Sequence, residues 1–366
     1  MSWREISPEQ MYSLREPLIV DVRSPGEHAA EYIPGSINVP LLSDDERVVV
    51  GTIYKQEGEL RARRLALNLI SPKIPAMVDE ILGHRKAGQT IVVHCWRGGL
   101  RSEAVSSFLA IVGVDCWRLI GGYKEWRHFI LKQFEEDQYQ FHPIVIDGRT
   151  GVGKSEILSA LASMNEQVLD LESLANHRGS AFGGLGLGTQ PTQKNFEAYL
   201  WMELRNFEPG CVFMEAESRK IGKIGLPDFL MKKLAHGRRI LVTGSVASRV
   251  ERIYRQYLGP AGDGSSNGDC NRGEENSCSE LLIDAVKRLV NIKERLGAKR
   301  LAELEELAKD RQYRTAIELL LIHYYDPLYD KQIKQHEPYE LTVDGDDTTA
   351  AATTIANWSR TAAYKS

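Results

Sequence analysis

Cysteine is scarce in this sequence: five in 366 residues, at 95, 116, 211, 270 and 278. The number is odd, no CxxC pair occurs and the spacing is irregular, which excludes the disulfide framework of a small secreted domain. Long apolar runs are missing as well; none approaches the ~20 residues that a membrane span requires. Neither charge is in large excess, since 46 Lys and Arg stand against 50 Asp and Glu for a net charge of −4. That balance excludes a protein that coats nucleic acid indiscriminately and leaves local basic surfaces open. The opening text, MSWREISPEQMYSLREP, has charges where a secretory signal needs an apolar run, and it lacks the Arg-rich, acid-poor character of a transit peptide. The expectation is a cytoplasmic protein with no membrane association. What is present is ordinary for a globular chain, 42% hydrophobic and 26% charged. Its length exceeds the ~250–300 residues at which single cores stop growing, so two domains are expected.

The periodicity predicts two α/β units. LIVDVRSPGEH from Leu18 reads as a buried strand ended by a Ser-Pro-Gly turn, and SINVP follows as a second strand. Glu59 to Leu69 and Met77 to Arg85 have helical spacing. TIVVHC is a buried-strand run that leads through Gly98 and Gly99 into the helix-like SEAVSSFLAIVG, and VDCWRLIGGYKEW repeats strand then glycine. Strands alternating with helices predict a parallel sheet in domain 1–135. The polar, acidic text of residues 136–142 reads as a linker. A second alternating series starts at PIVIDG and predicts a domain over 143–345, helical toward its C-terminal part. Within it, 259–279 (GPAGDGSSNGDCNRGEENS) reads as a flexible insertion holding Cys270 and Cys278, and 346–366 reads as a peripheral tail.

Two segments carry chemistry. In His94-Cys95-Trp96-Arg97-Gly98-Gly99-Leu100-Arg101-Ser102, a cysteine lies between a strand and a helix. There, loop amides and the helix N-terminus stabilise a thiolate or a bound anion, and Arg97 and Arg101 add positive charge. Cys116 and Cys211 lie in or beside apolar strand text and read as core. The second segment, Gly148-Arg149-Thr150-Gly151-Val152-Gly153-Lys154-Ser155, is a full GxxxxGKS between a strand and a helix. Its glycines let amides wrap a di- or triphosphate, Lys154 adds a cation, and the Ser155 hydroxyl can ligate Mg²⁺. A partner acid is expected at the end of a neighbouring strand, Glu215 first and Glu217 second. The Gly-rich run Asn176 to Gly188 is either a loop that closes over a ligand or a plain connection. Arg249, Arg252 and Arg255 are placed either to clamp an anion or along a solvated helix face.

Asp21-Val22-Arg23-Ser24-Pro25-Gly26-Glu27 and Tyr32 to Pro40, with the cysteine loop, resemble the successive signatures of rhodanese domains. That resemblance implies a persulfide or perselenide on Cys95. The loop, HCx5RS, is one residue longer than in common sulfurtransferase rhodaneses and shares its spacing with tyrosine phosphatases. It therefore leaves chalcogen transfer and phosphate-ester hydrolysis both open. Taken in order, the cysteine loop, the P-loop, Asn-His-Arg-Gly-Ser-Ala-Phe-Gly and Glu-Ser-Arg-Lys-Ile-Gly resemble the tRNA 2-selenouridine synthase family over roughly residues 3 to 345, apart from the 259–279 insertion.

The resemblance implies a transferase that replaces sulfur by selenium in wobble 2-thiouridine of tRNAs of the Lys, Glu and Gln type. It implies selenophosphate as donor, geranyl diphosphate as a second substrate and S-geranyl-2-thiouridine as the intermediate. A selenophosphate-producing enzyme is an implied partner, with Mg²⁺ as a possible ion and no tightly bound organic cofactor. Cys95, Arg97, Arg101, Gly98 and Gly99 would then handle selenium and its donor anion, and Gly148, Gly151, Gly153, Lys154, Ser155 and Glu215 the diphosphate. The alternatives are a rhodanese-like phosphatase fused to a P-loop kinase, a sulfurtransferase, or a non-enzymatic sulfur-carrier scaffold. For tRNA contact the candidate basic segments are Arg61 to Arg64, Lys232 to Arg239, and Lys287 to Arg300.

Overall fold

The computed structural model describes residues 3–135, 139–180, 182–258 and 296–362. Cys270, Cys278, the 259–279 insertion and most of the Lys287–Arg300 segment lie outside the described residues. The chain forms two compact units, Met1–Gln138 with Thr192–Trp201, and Tyr139–Pro191 with Met202–Ser366.

The first unit is built on strands β1 (Arg4–Ile6), β2 (Leu18–Asp21), β3 (Ile37–Asn38), β4 (Ile91–His94) and β5 (Cys116–Leu119). They form a sheet of order β1-β5-β4-β2-β3 with every pairing parallel. LIVD and IVVH are buried at every residue, as expected for central strands covered on both faces. Local sequence sets the helix starts: Ser7 with Gln10, Ser24 with Glu27, and Ser43 with Glu46 each form a capping box. The last of these opens a helix, Asp44–Glu57, whose weak apolar periodicity left it out of the sequence reading.

The second unit contains β6 (Phe141–Gly148), β7 (Val168–Leu169), β8 (Gly210–Glu215), an antiparallel pair β9 (Lys220–Ile221) and β10 (Ile224–Gly225), β11 (Arg238–Thr243) and β12 (Leu341–Asp344). Its main sheet has order β12-β11-β6-β8-β7, again all parallel. Helices Ala298–Lys309, Tyr313–Leu320 and Asp326–Gln335 supply the helical part.

Three expectations are corrected. The linker ends before 142, because Phe141 is buried and meets Phe207 edge-on, which starts β6 inside the polar text. Of the expected tail 346–366, the described part is not peripheral: helix Thr348–Ala362 buries Ala351, Ala352, Ile355 and Ala356 in the core beside helix Lys154–Ser163. Alanine and threonine give little apolar contrast in sequence yet permit close packing. Finally, Thr192–Trp201 belongs to the first unit. There Trp201 meets Tyr12 and Phe129, Arg127 pairs with Glu197, and Thr192 Oγ1 donates to the Ala30 carbonyl.

One ion pair ties the second unit together. Arg249, fully buried, donates Nη1 and Nη2 to Asp326 at 3.0 and 2.5 Å and Nε to the Thr150 carbonyl at 2.9 Å. Asp326→Ala strands that cation, so urea unfolding should show a loss of about 3–5 kcal/mol. A loss under about 1 kcal/mol would contradict this role.

Candidate active sites

β4 delivers Cys95 to the floor of its loop, 3% exposed. Sγ lies 3.3 Å from Ser102 Oγ and 3.8 Å from the Gly99 carbonyl. The loop is clamped from behind by the residues after β5: Tyr123 N donates to the Cys95 carbonyl (2.8 Å) and Lys124 N to that of Trp96 (3.0 Å). This approach needs Gly122, with φ +62, because a Cβ there would fall 2.3 Å from the Cys95 carbonyl oxygen. Gly98, φ +63, is as tightly held, whereas a Cβ on Gly99 would meet nothing, so the loop opens at Gly99 beside the N-terminus of helix Leu100–Ile111.

The two arginines part company. Arg97 is exposed and has no partner among the described residues. Arg101 Nη1 donates to Glu27 Oε2 at 2.6 Å. Burial pushes Glu27 up, but the Arg101 bond outweighs it and holds the carboxyl below its usual range.

Beneath the loop lies a cluster that the sequence reading quoted without assigning a role. Asp21 binds Arg23 (2.6 Å) and His28 (3.0 Å), and Arg23 is wholly buried. Burial opposes the Asp21 charge, yet His94, His28 and Arg23 together keep the carboxyl far below the usual range. His94 is driven the other way, down to about 4, chiefly by burial and against the pull of Asp21. A lowered folded-state value means the unfolded chain takes up this proton first. The contribution is complete above pH ~6.5 and is lost as pH falls toward 4. Between pH 7 and 4.5 we expect roughly 2–3 kcal/mol less stability from this group, and a shallower pH slope in His94→Gln. Equal slopes in urea titrations of the two proteins would contradict it.

In the second unit the P-loop leaves β6 with Gly148, Gly151 and Gly153 all at positive φ. A Cβ on Gly148 would lie 2.5 Å from the Val242 carbonyl oxygen. Lys154 Nζ donates to the Gly148 and Arg149 carbonyls (3.0 and 3.4 Å), and Ser155 Oγ to Glu172 (3.3 Å). Glu215 is fully buried, takes a hydrogen bond from Leu171 N and is held well above the usual range by burial. It does not line the cavity beside the P-loop; Glu172 does. Glu172 shares a hydrogen bond with Glu217, whose value burial and the Glu172 charge push up to about 8. Gly179, φ +61, covers the pair so closely that a Cβ would lie 2.5 Å from Glu172 and 2.7 Å from Glu217. Sequence reasoning missed Glu172; its signal was the text VLDLE, where a short strand passes through the N-cap Asp170 into a helix whose first turn carries the acid.

The cavity holds about 800 Å³. Lys154, Ser155 and the loop glycines form one part of its lining, and Phe182, Leu304, Ile317, Leu320 and Leu321 an aliphatic and aromatic part. The Gly-rich run contributes Arg178, which donates to the Leu185 carbonyl (2.7 Å) and lies over the Tyr257 ring. Arg252 is spent on the Gly151 and Gly345 carbonyls, and Arg255 pairs with Glu251.

A model of the tRNA 2-selenouridine synthase AAA domain matches residues 141–362, and a rhodanese-like domain matches residues 7–129. Proteins named tRNA 2-selenouridine synthase from Sulfurovum sp. (strain NBC37-1) and Pseudomonas syringae pv. syringae (strain B728a) are each 34% identical. The alignments cover 87% and 93% of this chain and 89% and 94% of theirs. The namesake from Ectopseudomonas mendocina (strain ymp) is 36% identical over 85% and 86%. The chain belongs to the tRNA 2-selenouridine synthase family.

The two units thus carry one glycine-rich strand-to-helix loop each, on parallel sheets. Many cations of the predicted basic segments are engaged internally: Arg61 with Glu57, Arg63 with Glu59, Arg238 with Glu340, and Arg239 with Asp147. Arg64 and Lys232 are exposed without a partner among the described residues. No helix among these residues is long and apolar enough to cross a membrane, and no group of three or more His, Cys, Asp or Glu is placed to hold a metal ion.

Proposed function

We propose that this protein exchanges sulfur for selenium in wobble 2-thiouridine of tRNAs of the Lys, Glu and Gln type. Geranyl diphosphate and selenophosphate are the substrates. The observation that carries this reading is the cavity of about 800 Å³ that joins a phosphate-binding loop to an aliphatic wall. A diphosphate with a hydrocarbon tail needs both.

In the first reaction the thiocarbonyl sulfur attacks C1 of the geranyl group. The C–O bond breaks, diphosphate leaves with the electron pair, and the N3 proton passes to water. Lys154 and the loop amides offset the charge of the leaving group. Ser155, beside Glu172, is where Mg²⁺ would join the protein to the diphosphate, further neutralising it. S-Alkylation makes C2 more electrophilic. In the second reaction a selenium nucleophile attacks C2 and the geranylthio group leaves with the C–S electron pair, while the phosphoryl group of the donor passes to water. Cys95 handles this selenium by attacking the phosphorus of the donor: the P–Se bond breaks, selenide leaves with the electron pair to act as the nucleophile, and water then takes the phosphoryl group from the sulfur. The opening at Gly99 beside a helix N-terminus supports an anionic donor there, with Arg97 exposed at the same loop.

The test is reconstitution. With 2-thiouridine tRNA and geranyl diphosphate alone, nucleoside mass spectrometry should find S-geranyl-2-thiouridine, and adding selenophosphate should convert it to 2-selenouridine. No selenium product with both substrates present would refute the reading. Release of phosphate from an aryl phosphate at comparable rates would favour the phosphatase alternative.

A further inference from the structure

We infer that Trp96 is the stacking platform that holds the wobble base against the Cys95 loop; the inference rests on the proposed function, since it requires that the base come to this cysteine.

Cys95 is buried and its neighbour is the aromatic surface next to it in the chain. Trp96 is half-buried, and its indole lies nearly parallel to Tyr123, with centroids 5.6 Å apart and planes inclined by 27°. Tyr123, 1% exposed, packs in turn on the fully buried Trp126 at 5.4 Å. Trp96 is therefore the outermost ring of a three-ring stack. Arg23 stiffens it from within, its guanidinium 4.4 Å from the Tyr123 centroid and 5.8 Å from that of Trp96. The Trp96 backbone is pinned by Lys124 N.

A tryptophan retained only for packing would resemble Trp126, which is wholly buried and donates its indole N–H to Tyr12 at 2.9 Å. Trp96 differs on both counts: it is only half-buried, and its N–H has no partner among the described residues. Over the ring sits a cation. Lys194, carried into this unit by the Thr192–Trp201 segment and paired with Glu31, places Nζ 5.9 Å from the indole centroid. A rigid, half-buried ring with a flexible lysine over it suits an unstacked nucleotide, the base lying on the ring and the displaced lysine meeting its phosphate. Chemistry at C2 of the base requires such extrusion from the anticodon stack.

The experiment compares wild type, Trp96→Ala and Trp96→Phe. Each is titrated with an anticodon stem-loop RNA bearing 2-thiouridine at the wobble position, and with the same RNA made abasic there. Selenation kinetics are measured alongside. Trp96→Ala should weaken binding of the thiouridine RNA by roughly 10- to 100-fold and raise KM far more than it lowers kcat. Trp96→Phe should restore most of the affinity, and the abasic RNA should bind all three proteins alike. Equal losses on both RNAs, or no loss on either, would overturn the platform. Wild-type selenation in the same assay separates that outcome from failure of the function itself, which would show as no 2-selenouridine from any of the three.

Discussion

Cys95→Ser is expected to abolish formation of 2-selenouridine, by on the order of 10³-fold or more, while S-geranyl-2-thiouridine accumulates. The contrast follows from the proposed division of labour between two units that each carry a glycine-rich strand-to-helix loop. Serine is nearly isosteric with cysteine, and the surrounding contacts, Ser102 Oγ at 3.3 Å and the Gly99 carbonyl at 3.8 Å, tolerate a hydroxyl. Loss of folding is therefore not the expected route to loss of activity. What disappears is the nucleophilic sulfur that takes the phosphoryl group and frees selenium from its donor, because an alkoxide is inaccessible at neutral pH and a hydroxyl is a poor nucleophile. Nucleoside mass spectrometry of tRNA treated with the variant reads both products at once. Persistence of 2-selenouridine would show that Cys95 is not the residue that handles selenium, and loss of both products would show that the two reactions do not divide between the loops in this way.

Lys154→Ala is expected to have the converse effect, weakening geranyl diphosphate binding by roughly 10- to 100-fold, the range for losing a charged hydrogen bond. In the structure Nζ turns back onto the carbonyls of Gly148 and Arg149. Those bonds are ones a diphosphate would replace, so the alanine variant loses a ligand contact and leaves only exchangeable carbonyls behind. Calorimetric titration of both proteins gives the ratio directly. With preformed S-geranyl-2-thiouridine tRNA supplied, the variant should still make 2-selenouridine. Unchanged diphosphate affinity would remove Lys154 from the site.

The legible parts of this protein were those where a local pattern and a chemical need coincide. GRTGVGKS declares its strand-loop-helix context, and IVVHC followed by two glycines and two arginines does the same. Family membership was legible too, because the order of four short motifs is specific where each alone is not. Less legible was anything that depends on what packs where. Glu215 had the expected position at a strand end, but β8 carries it fully into the interior, and Glu172, in the short helix Leu171–Leu174 after β7, lines the cavity instead. Thr192–Trp201 falls by sequence inside the second domain, 143–345, yet its Asn195, Glu197 and Trp201 find their partners in the first unit. The last helix hid behind alanine and threonine, which carry little hydrophobic signal although four of its residues close the second core. Asp21, Arg23 and Glu27 were quoted as a signature, but only their three-dimensional pairing shows that they brace the cysteine loop.

The most direct test is nucleoside mass spectrometry of tRNA from cells with and without this gene, grown with selenium. The account predicts that 2-selenouridine is present in the parent, absent from the deletion strain, and restored by the intact gene but not by the Cys95→Ser form. Undiminished 2-selenouridine in the deletion strain would contradict it.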